Sequence, residues 1–437
     1  MYFKNFLITL VFLGIVLNGC MPDSSSSSES ISEPTLSTTE YTESVASTTV
    51  AKGSVPMLVV LVSFNNIAIQ NSEQAWRDKI FGKEAHQLNN YYLEVSGGKF
   101  QYEEAGVVSV KLDTNHPNID VDDSSFMYMV YPDLANALRA TDDQIDFAQY
   151  DKDGNGYITP DELIVTYIIA GFEDAYEGYH VNYGIWAHQS CMSYDENIVK
   201  ADGVSLLGCE NKGNFALFGE LHDISSAHIA TIGIIAHELG HSTFDLPDLY
   251  NTYNPNSGGI GNFGLMAGGM WGVENSLEYP GTTPVHPCAW SKLHNGWVEP
   301  IEYKNEFVTL YATSSSEYNV AKIPIDATHY YLLENRDNSG YDKGLYRLRG
   351  DFNGGIAIWK IDESKLTQEH ITRNDVNVDT QNKGVDLVEA VEGLIDSRGD
   401  GGAENALYYA GNVDYFLNYV ENISERGEAM SLNMKDY

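Results

Sequence analysis

Positive charge is in short supply in this chain. Its 437 residues include 25 lysines and arginines against 62 aspartates and glutamates, a formal charge of −37. A surface this anionic repels phosphate backbones, which excludes nucleic acid as a natural partner; its main consequence is solubility. Cysteine is scarcer still, at four residues. Cys191 and Cys209 are close enough in sequence to close a loop by a disulfide, but sequence alone leaves the pairing open. If it forms, Cys288 is left as a buried free thiol near Trp290. No internal repeat is evident. Beyond the N-terminus there is no second transmembrane segment.

The apolar run that does exist sits at the start. Lys4 precedes residues 6–17, Phe-Leu-Ile-Thr-Leu-Val-Phe-Leu-Gly-Ile-Val-Leu, which have the length of a secretory signal and are short for a membrane span. The run leads into Leu17-Asn-Gly-Cys20, which resembles the lipobox of bacterial lipoproteins, with Asn18 the less usual member. That resemblance implies cleavage before Cys20 and lipid on its sulfur. Residues 1–20 are therefore expected to be a lipoprotein signal peptide, and the mature chain to sit on the outer side of a bacterial membrane. The alternative is an ordinary cleaved signal and a secreted protein. Residues 21–54 are rich in serine, threonine and glutamate, with Ser24 to Ser28 consecutive. They cannot bury enough apolar surface to order themselves and read as a disordered tether. At roughly 5–6 Å times the square root of its length, such a tether spans about 30–35 Å.

The most informative segment is residues 234–241, Ile-Ile-Ala-His-Glu-Leu-Gly-His. With Ile229, Ile232 and Gly233 before it, it reads as a buried helix. His237 and His241 then stand one turn apart, about 5–6 Å between Cβ atoms, so both imidazoles can reach one ion at about 2.0–2.1 Å. Glu238 projects beside them, near enough to take a proton from metal-bound water without being a ligand. The competing reading is a hydrogen-bonded core histidine pair, which has no use for Glu238. Zinc is the expected metal.

A second motif lies upstream. Asp151-Lys-Asp-Gly-Asn-Gly-Tyr-Ile-Thr-Pro-Asp-Glu162 matches a twelve-residue calcium loop at every defined position. Asp151, Asp153 and Asn155 would give side-chain oxygens and Tyr157 its backbone carbonyl. Gly156 makes the sharp turn, Thr159 acts directly or through water, and Glu162 closes the site. Residues 163–170 are rich in β-branched side chains and predict a buried strand, so a calcium ion here would be structural, not regulatory. The competing reading is an acidic surface turn without metal.

Further segments carry a resemblance. Residues 246–250 (Leu-Pro-Asp-Leu-Tyr), 261–271 (Gly-Asn-Phe-Gly-Leu-Met-Ala-Gly-Gly-Met-Trp) and 287–297 (Pro-Cys-Ala-Trp-Ser-Lys-Leu-His-Asn-Gly-Trp) follow the helix in order. Residues 89–100, 330–336, 354–362 and 384–390 fit the same order. Together they resemble the immune inhibitor A family of secreted bacterial metallopeptidases, over about residues 55–435. The resemblance implies an α/β zincin-like catalytic domain, a zinc endopeptidase activity, structural calcium, and protein or peptide substrates.

The third zinc ligand departs from the metzincin spacing, in which a glycine ends the helix and a ligand follows three residues later. Counted literally, those slots fall on Phe244 and Pro247, which can do neither job. With one residue inserted, Asp245 takes the turn and Asp248 becomes the ligand; family members also carry the Leu-Pro-Asp-Leu-Tyr segment. Glu274 and His286 are the alternatives for the ligand. The resemblance further implies that Met266, in its glycine-rich surroundings, forms an apolar floor beneath the metal. Three protein ligands leave zinc one position for water, with Glu238 as general base and Tyr250, Tyr253 or His286 as candidate oxyanion donors.

Elsewhere, residues 55–63 predict a central strand, 87–95 a helix, 100–112 an alternating strand and 127–140 a helix. After Trp297 short β-rich stretches (307–310, 330–334, 355–361 and 384–388) alternate with turns. About 380 ordered residues exceed most single cores, so two packed parts are expected: the catalytic domain over 55–297 and a smaller β-rich portion over 298–437. The leading expectation is a monomeric, surface-anchored zinc endopeptidase. The second is a catalytically silent surface lipoprotein, an adhesin or receptor, on the same fold.

Overall fold

A computed structural model describes residues 53–118, 126–254, 259–348, 352–391 and 406–436. The expected signal, Cys20 and nearly all of the tether lie outside these residues. Residues 53 and 54, the last of the expected tether, already belong to the first strand.

The apolar run after the tether forms the middle of the larger sheet. In β1 (Gly53–Ser63) residues Met57 to Val62 are all fully buried, as a parallel strand covered on both faces should be. The chain crosses over through α1 (Glu73–Phe81) and α2 (Leu88–Val95) to β2 (Phe100–Lys111), which lies parallel to β1. Ser72 starts α1 by accepting the Ala75 N–H at 3.2 Å. Next come α3 (Phe126–Arg139) and β3 (Ile164–Glu173), the latter parallel to the other side of β1.

Beyond β3 lie α4 (Asp174–Glu177), β4 (Gly184–Ile185), β5 (His188–Ser190) and the hairpin β6 (Val199–Ala201) with β7 (Val204–Leu206). A disulfide joins Cys191 to Cys209 around this hairpin, at 2.05 Å. β8 (Phe215–His222) then pairs with β3 in parallel, and β9 (His228–Ile229) folds back on it. The sheet order is β2-β1-β3-β8-β5, with β5 running antiparallel along the outer edge. Two helices follow, α5 (Ile232–Phe244) and α6 (Ala289–His294). Cys288, just before α6, is a buried free thiol.

From residue 301 the described chain carries β10 (Ile301–Glu302), β11 (Glu306–Tyr311), β12 (Ala321–Pro324), β13 (His329–Arg336), β14 (Gly355–Asp362), α7 (Gln368–Arg373), β15 (Val385–Leu387), β16 (Val420–Glu421) and β17 (Ala429–Met434). They form one sheet ordered β10-β12-β13-β14-β15 and a second ordered β11-β17-β16. The alternation of β13 and β14 divides their side chains between two cores. Leu332, Trp359 and Ile361 join the large core around α5, while Leu333, Ile356 and Ile358 pack with Leu310, Met430 and Leu432. The large core therefore runs across residue 297.

Buried charge also crosses that point. Arg336, fully buried at the end of β13, grips Asp342 through Nε at 2.6 Å and Nη2 at 2.5 Å. Its Nη1 reaches the Phe263 carbonyl at 2.6 Å, tying the β13–β14 sheet to the glycine-rich loop after α5. No helix among the described residues is long and apolar enough to cross a membrane.

Candidate active site

The site is built on α5, whose residues are nearly all buried. Helix α2 holds it from behind: the Tyr92 hydroxyl donates to the Ala236 carbonyl at 2.9 Å. Phe244 stays helical and its ring enters a cluster with Phe100, Tyr92 and Trp297, so it is a packing residue. The left-handed turn falls on Asp245 (φ 54°), the slot that the one-residue insertion predicts. Its N–H bonds the His241 carbonyl at 3.0 Å, and the Leu246 N–H bonds Gly240 at 3.2 Å, closing the helix end.

That turn carries Asp248 back over the helix. Asp248 Oδ1 lies 3.1 Å from His237 Nε2 and 3.4 Å from His241 Nε2. The far nitrogens are already engaged: His237 Nδ1 with the Leu265 carbonyl at 3.0 Å, His241 Nδ1 with the Leu246 carbonyl at 2.5 Å. A carbonyl can only accept, so each Nδ1 carries a proton, and in the neutral imidazole Nε2 is then a bare lone pair. Two lone pairs and a carboxylate oxygen thus face one point, with His237 and Asp248 buried and His241 partly so. Asp248 Oδ1 correspondingly has no hydrogen-bond partner, although both nitrogens are close. Such an arrangement is repulsive unless positive charge sits at its centre.

Two kinds of positive charge fit. One is a proton: burial opposes charge on His241, but Asp248 outweighs it and lifts the imidazole to about 9. Burial likewise opposes the Asp248 carboxylate, and the two histidines still hold it well below the usual carboxylate range. The other is a metal ion. A tetrahedron with bonds of about 2.0–2.1 Å has edges of about 3.3–3.4 Å, and the two separations from Oδ1 lie at or slightly below that value. The donor set, two neutral imidazoles and one carboxylate oxygen, is suited to zinc.

Glu238 is buried next to this triad. Burial raises its carboxyl above the ordinary range, His237 and His241 pull it partly back, and the Gln189 N–H of edge strand β5 hydrogen-bonds to it. Met266 lies under the helix: a Cβ added to Gly240 would come within 2.6 Å of its Sδ. Glycine at the fourth position of His237-Glu-Leu-Gly-His241 therefore makes room for the floor.

Of the other candidates, Tyr250 reaches the triad. Its hydroxyl hydrogen-bonds to Asp248, and burial together with that carboxylate raises it well above the usual phenol range. Tyr253 is 65% exposed. The two alternative ligands are engaged elsewhere, His286 with Glu94 at 2.9 Å and Glu274 with Lys343 at 3.4 Å. The residue that sequence reasoning missed is Asn374, just past α7, whose side-chain amide pairs with Asp248.

The calcium-loop residues also come together, with carboxylates of Asp151, Asp153 and Glu162 within 4.8 Å of one another. Gly156 makes the predicted turn at φ 82°. The loop satisfies itself. Asp151 accepts the N–H groups of Asn155 and Gly156, Asn155 Oδ1 accepts the Tyr157 N–H, and Glu162 accepts those of Lys152 and Thr159. It bridges to β7 through Ile158 and Ser205 and runs into β3, the predicted strand.

A helix presenting two imidazoles and a buried glutamate, with a carboxylate closing the triad, defines the class of a metal-dependent hydrolase. Residues 66–298, just over half of the chain, match the immune inhibitor A peptidase M6 catalytic domain, and the chain belongs to that family. It is a metallopeptidase. No curated protein matches the chain closely enough to count as a relative.

Proposed function

We propose that the protein is a zinc-dependent endopeptidase of zincin type, with His237, His241 and Asp248 as the ligands and Glu238 as the general base. The observation that carries this reading is the convergence of two imidazole nitrogens on an Asp248 oxygen that has no hydrogen-bond partner, with a second carboxylate, Glu238, beside them. Zinc held there would polarise the scissile carbonyl and make water acidic enough to attack near neutral pH. The rest falls to the chain. Glu238, its carboxyl raised by burial, takes the proton of the attacking water and hands it to the leaving amine. The Gln189 N–H aims its carboxylate. Tyr250 remains protonated and steadies Asp248. Strand β5, at the sheet edge beside the site, offers backbone groups along which an extended peptide can add as a further strand.

Calcium in the 151–162 loop would fix the entry to β3, a structural role. The catalytic domain proper would end near Trp297, with the strands after it forming a smaller portion that shares its core. On its N-terminal sequence the enzyme is anchored through Cys20 on the outer face of a bacterial membrane and acts there on proteins or peptides as a monomer.

Glu238→Ala tests the reading. Casein hydrolysis should fall by about 10²–10⁴-fold, the usual worth of a general base, while bound zinc stays at the wild-type level. Unchanged hydrolysis would refute the assignment. A silent adhesin on this fold requires that the wild type itself cleave nothing.

A further inference from the structure

We infer that Asn374, which lies outside the stretch matched to the family's catalytic domain, is a positioning residue for the metal site: it orients Asp248 so that one carboxylate oxygen is left for the ion. The inference rests on the zinc reading above.

The geometry is reciprocal. Asn374 Oδ1 accepts the Asp248 N–H at 2.8 Å, and Asn374 Nδ2 donates to Asp248 Oδ2 at 2.6 Å. The backbone N–H can only donate, so it fixes which way the amide faces and turns the NH2 to the carboxylate. With Oδ2 engaged, Oδ1 alone points at the two imidazoles, and it is the oxygen without a hydrogen-bond partner. An amide is the side chain that meets a donor and an acceptor at once in this planar arrangement. Asn374 also sits in the left-handed region (φ 53°), which asparagine and glycine tolerate better than most residues.

The segment around it is clamped to the Asp248 loop on both sides. The Thr252 hydroxyl donates to the Asn374 carbonyl at 2.9 Å, Asn251 Nδ2 to Val378 O at 3.0 Å, and Asn377 Nδ2 to Leu249 O at 2.9 Å. None of these bonds uses the Asn374 side chain. The amide can therefore be removed with the clamp in place, which separates orientation of the ligand from attachment of the loop. Partners of this kind behind a metal ligand are typically worth about 10–100-fold in metal affinity.

The test uses the full chain and four variants. Asn374→Gly keeps the left-handed backbone and removes the amide. Asn374→Asp keeps the shape and the acceptor and removes the donor. Asn377→Ala weakens the clamp without touching Asp248, and Asp248→Ala removes the ligand. Zinc affinity is read by competition with a chelating dye, coordination by the visible absorption of the cobalt-substituted protein, and folding by urea unfolding of the metal-free form. Both Asn374 variants should bind zinc about 10–100-fold more weakly and show an altered cobalt spectrum. Asn377→Ala should unfold more easily with the wild-type cobalt spectrum. Wild-type zinc affinity and spectrum in both Asn374 variants would overturn the inference and leave the zinc reading intact. If Asp248→Ala binds zinc as tightly as the wild type, the zinc reading itself fails and the inference falls with it.

Discussion

The two clusters that the sequence marks for metal ions are built in opposite ways. In the 151–162 loop Asp153 is exposed, Asp151 half-buried and Glu162 buried, and all three carboxylates accept N–H groups from the loop's own backbone. That turn can hold its shape without an ion, and calcium would only tighten it. At His237, His241 and Asp248 the far sides of the donors are committed to carbonyls and an amide, and their near sides face one another. That triad cannot rest without positive charge. The loop thus satisfies its own carboxylates, whereas the triad leaves its inward atoms for a proton or a metal ion, and the partners behind each group decide which.

The contrast can be broken most forcefully by removing each metal separately. A zinc-selective chelator should abolish proteolysis, whereas a calcium-selective chelator should leave most of the activity at 25 °C and lower the unfolding midpoint by a few degrees. Equal loss of activity from both would erase the distinction. His241→Ala should be the most damaging single change in the triad. It removes a ligand and strands the Asp248 carboxylate in a buried setting, at a cost of about 3–5 kcal/mol in the metal-free protein, measurable by urea unfolding. Gly240→Ala should cost less, about 1–3 kcal/mol, because the Met266 thioether must move from its 2.6 Å approach to the new Cβ. Its cleavage rate should fall too, since that shift disturbs the floor between the two histidines. Glu162→Gln should be mildest, about 0.5–1.5 kcal/mol for weakened hydrogen bonds in the loop. It should also abolish any rise in midpoint on adding calcium.

How much of this was legible beforehand follows from the range of the interactions. The two metal motifs depend on spacing within a dozen residues, so the histidine pair, Glu238 and the loop oxygens could be named directly. Asp245 and Asp248 became legible once phenylalanine and proline were recognised as unfit for their literal slots. The strands around residues 60, 105, 167, 333 and 358 follow from apolar runs and alternation, and the structure places β1, β2, β3, β13 and β14 there. What stayed hidden acts over long separations. Asn374 lies 126 residues from Asp248, in a turn with no local mark of function. Arg336 meets the Phe263 carbonyl from 73 residues away. Gly240 looked like an ordinary helical residue because its reason, the sulfur of Met266, comes from another segment. The choice among Tyr250, Tyr253 and His286 likewise depended on where the chain returns. Spacing cannot say that His286 is spent on Glu94, 192 residues earlier.

Anomalous diffraction at the zinc edge from crystals of the zinc-loaded protein addresses the central claim most directly. The account predicts one strong peak per chain, about 2.0–2.2 Å from His237 Nε2, His241 Nε2 and Asp248 Oδ1, with Glu238 close by but not bonded to it. A map with no peak between the two imidazoles, or with a peak whose third protein ligand is some other residue, would contradict it.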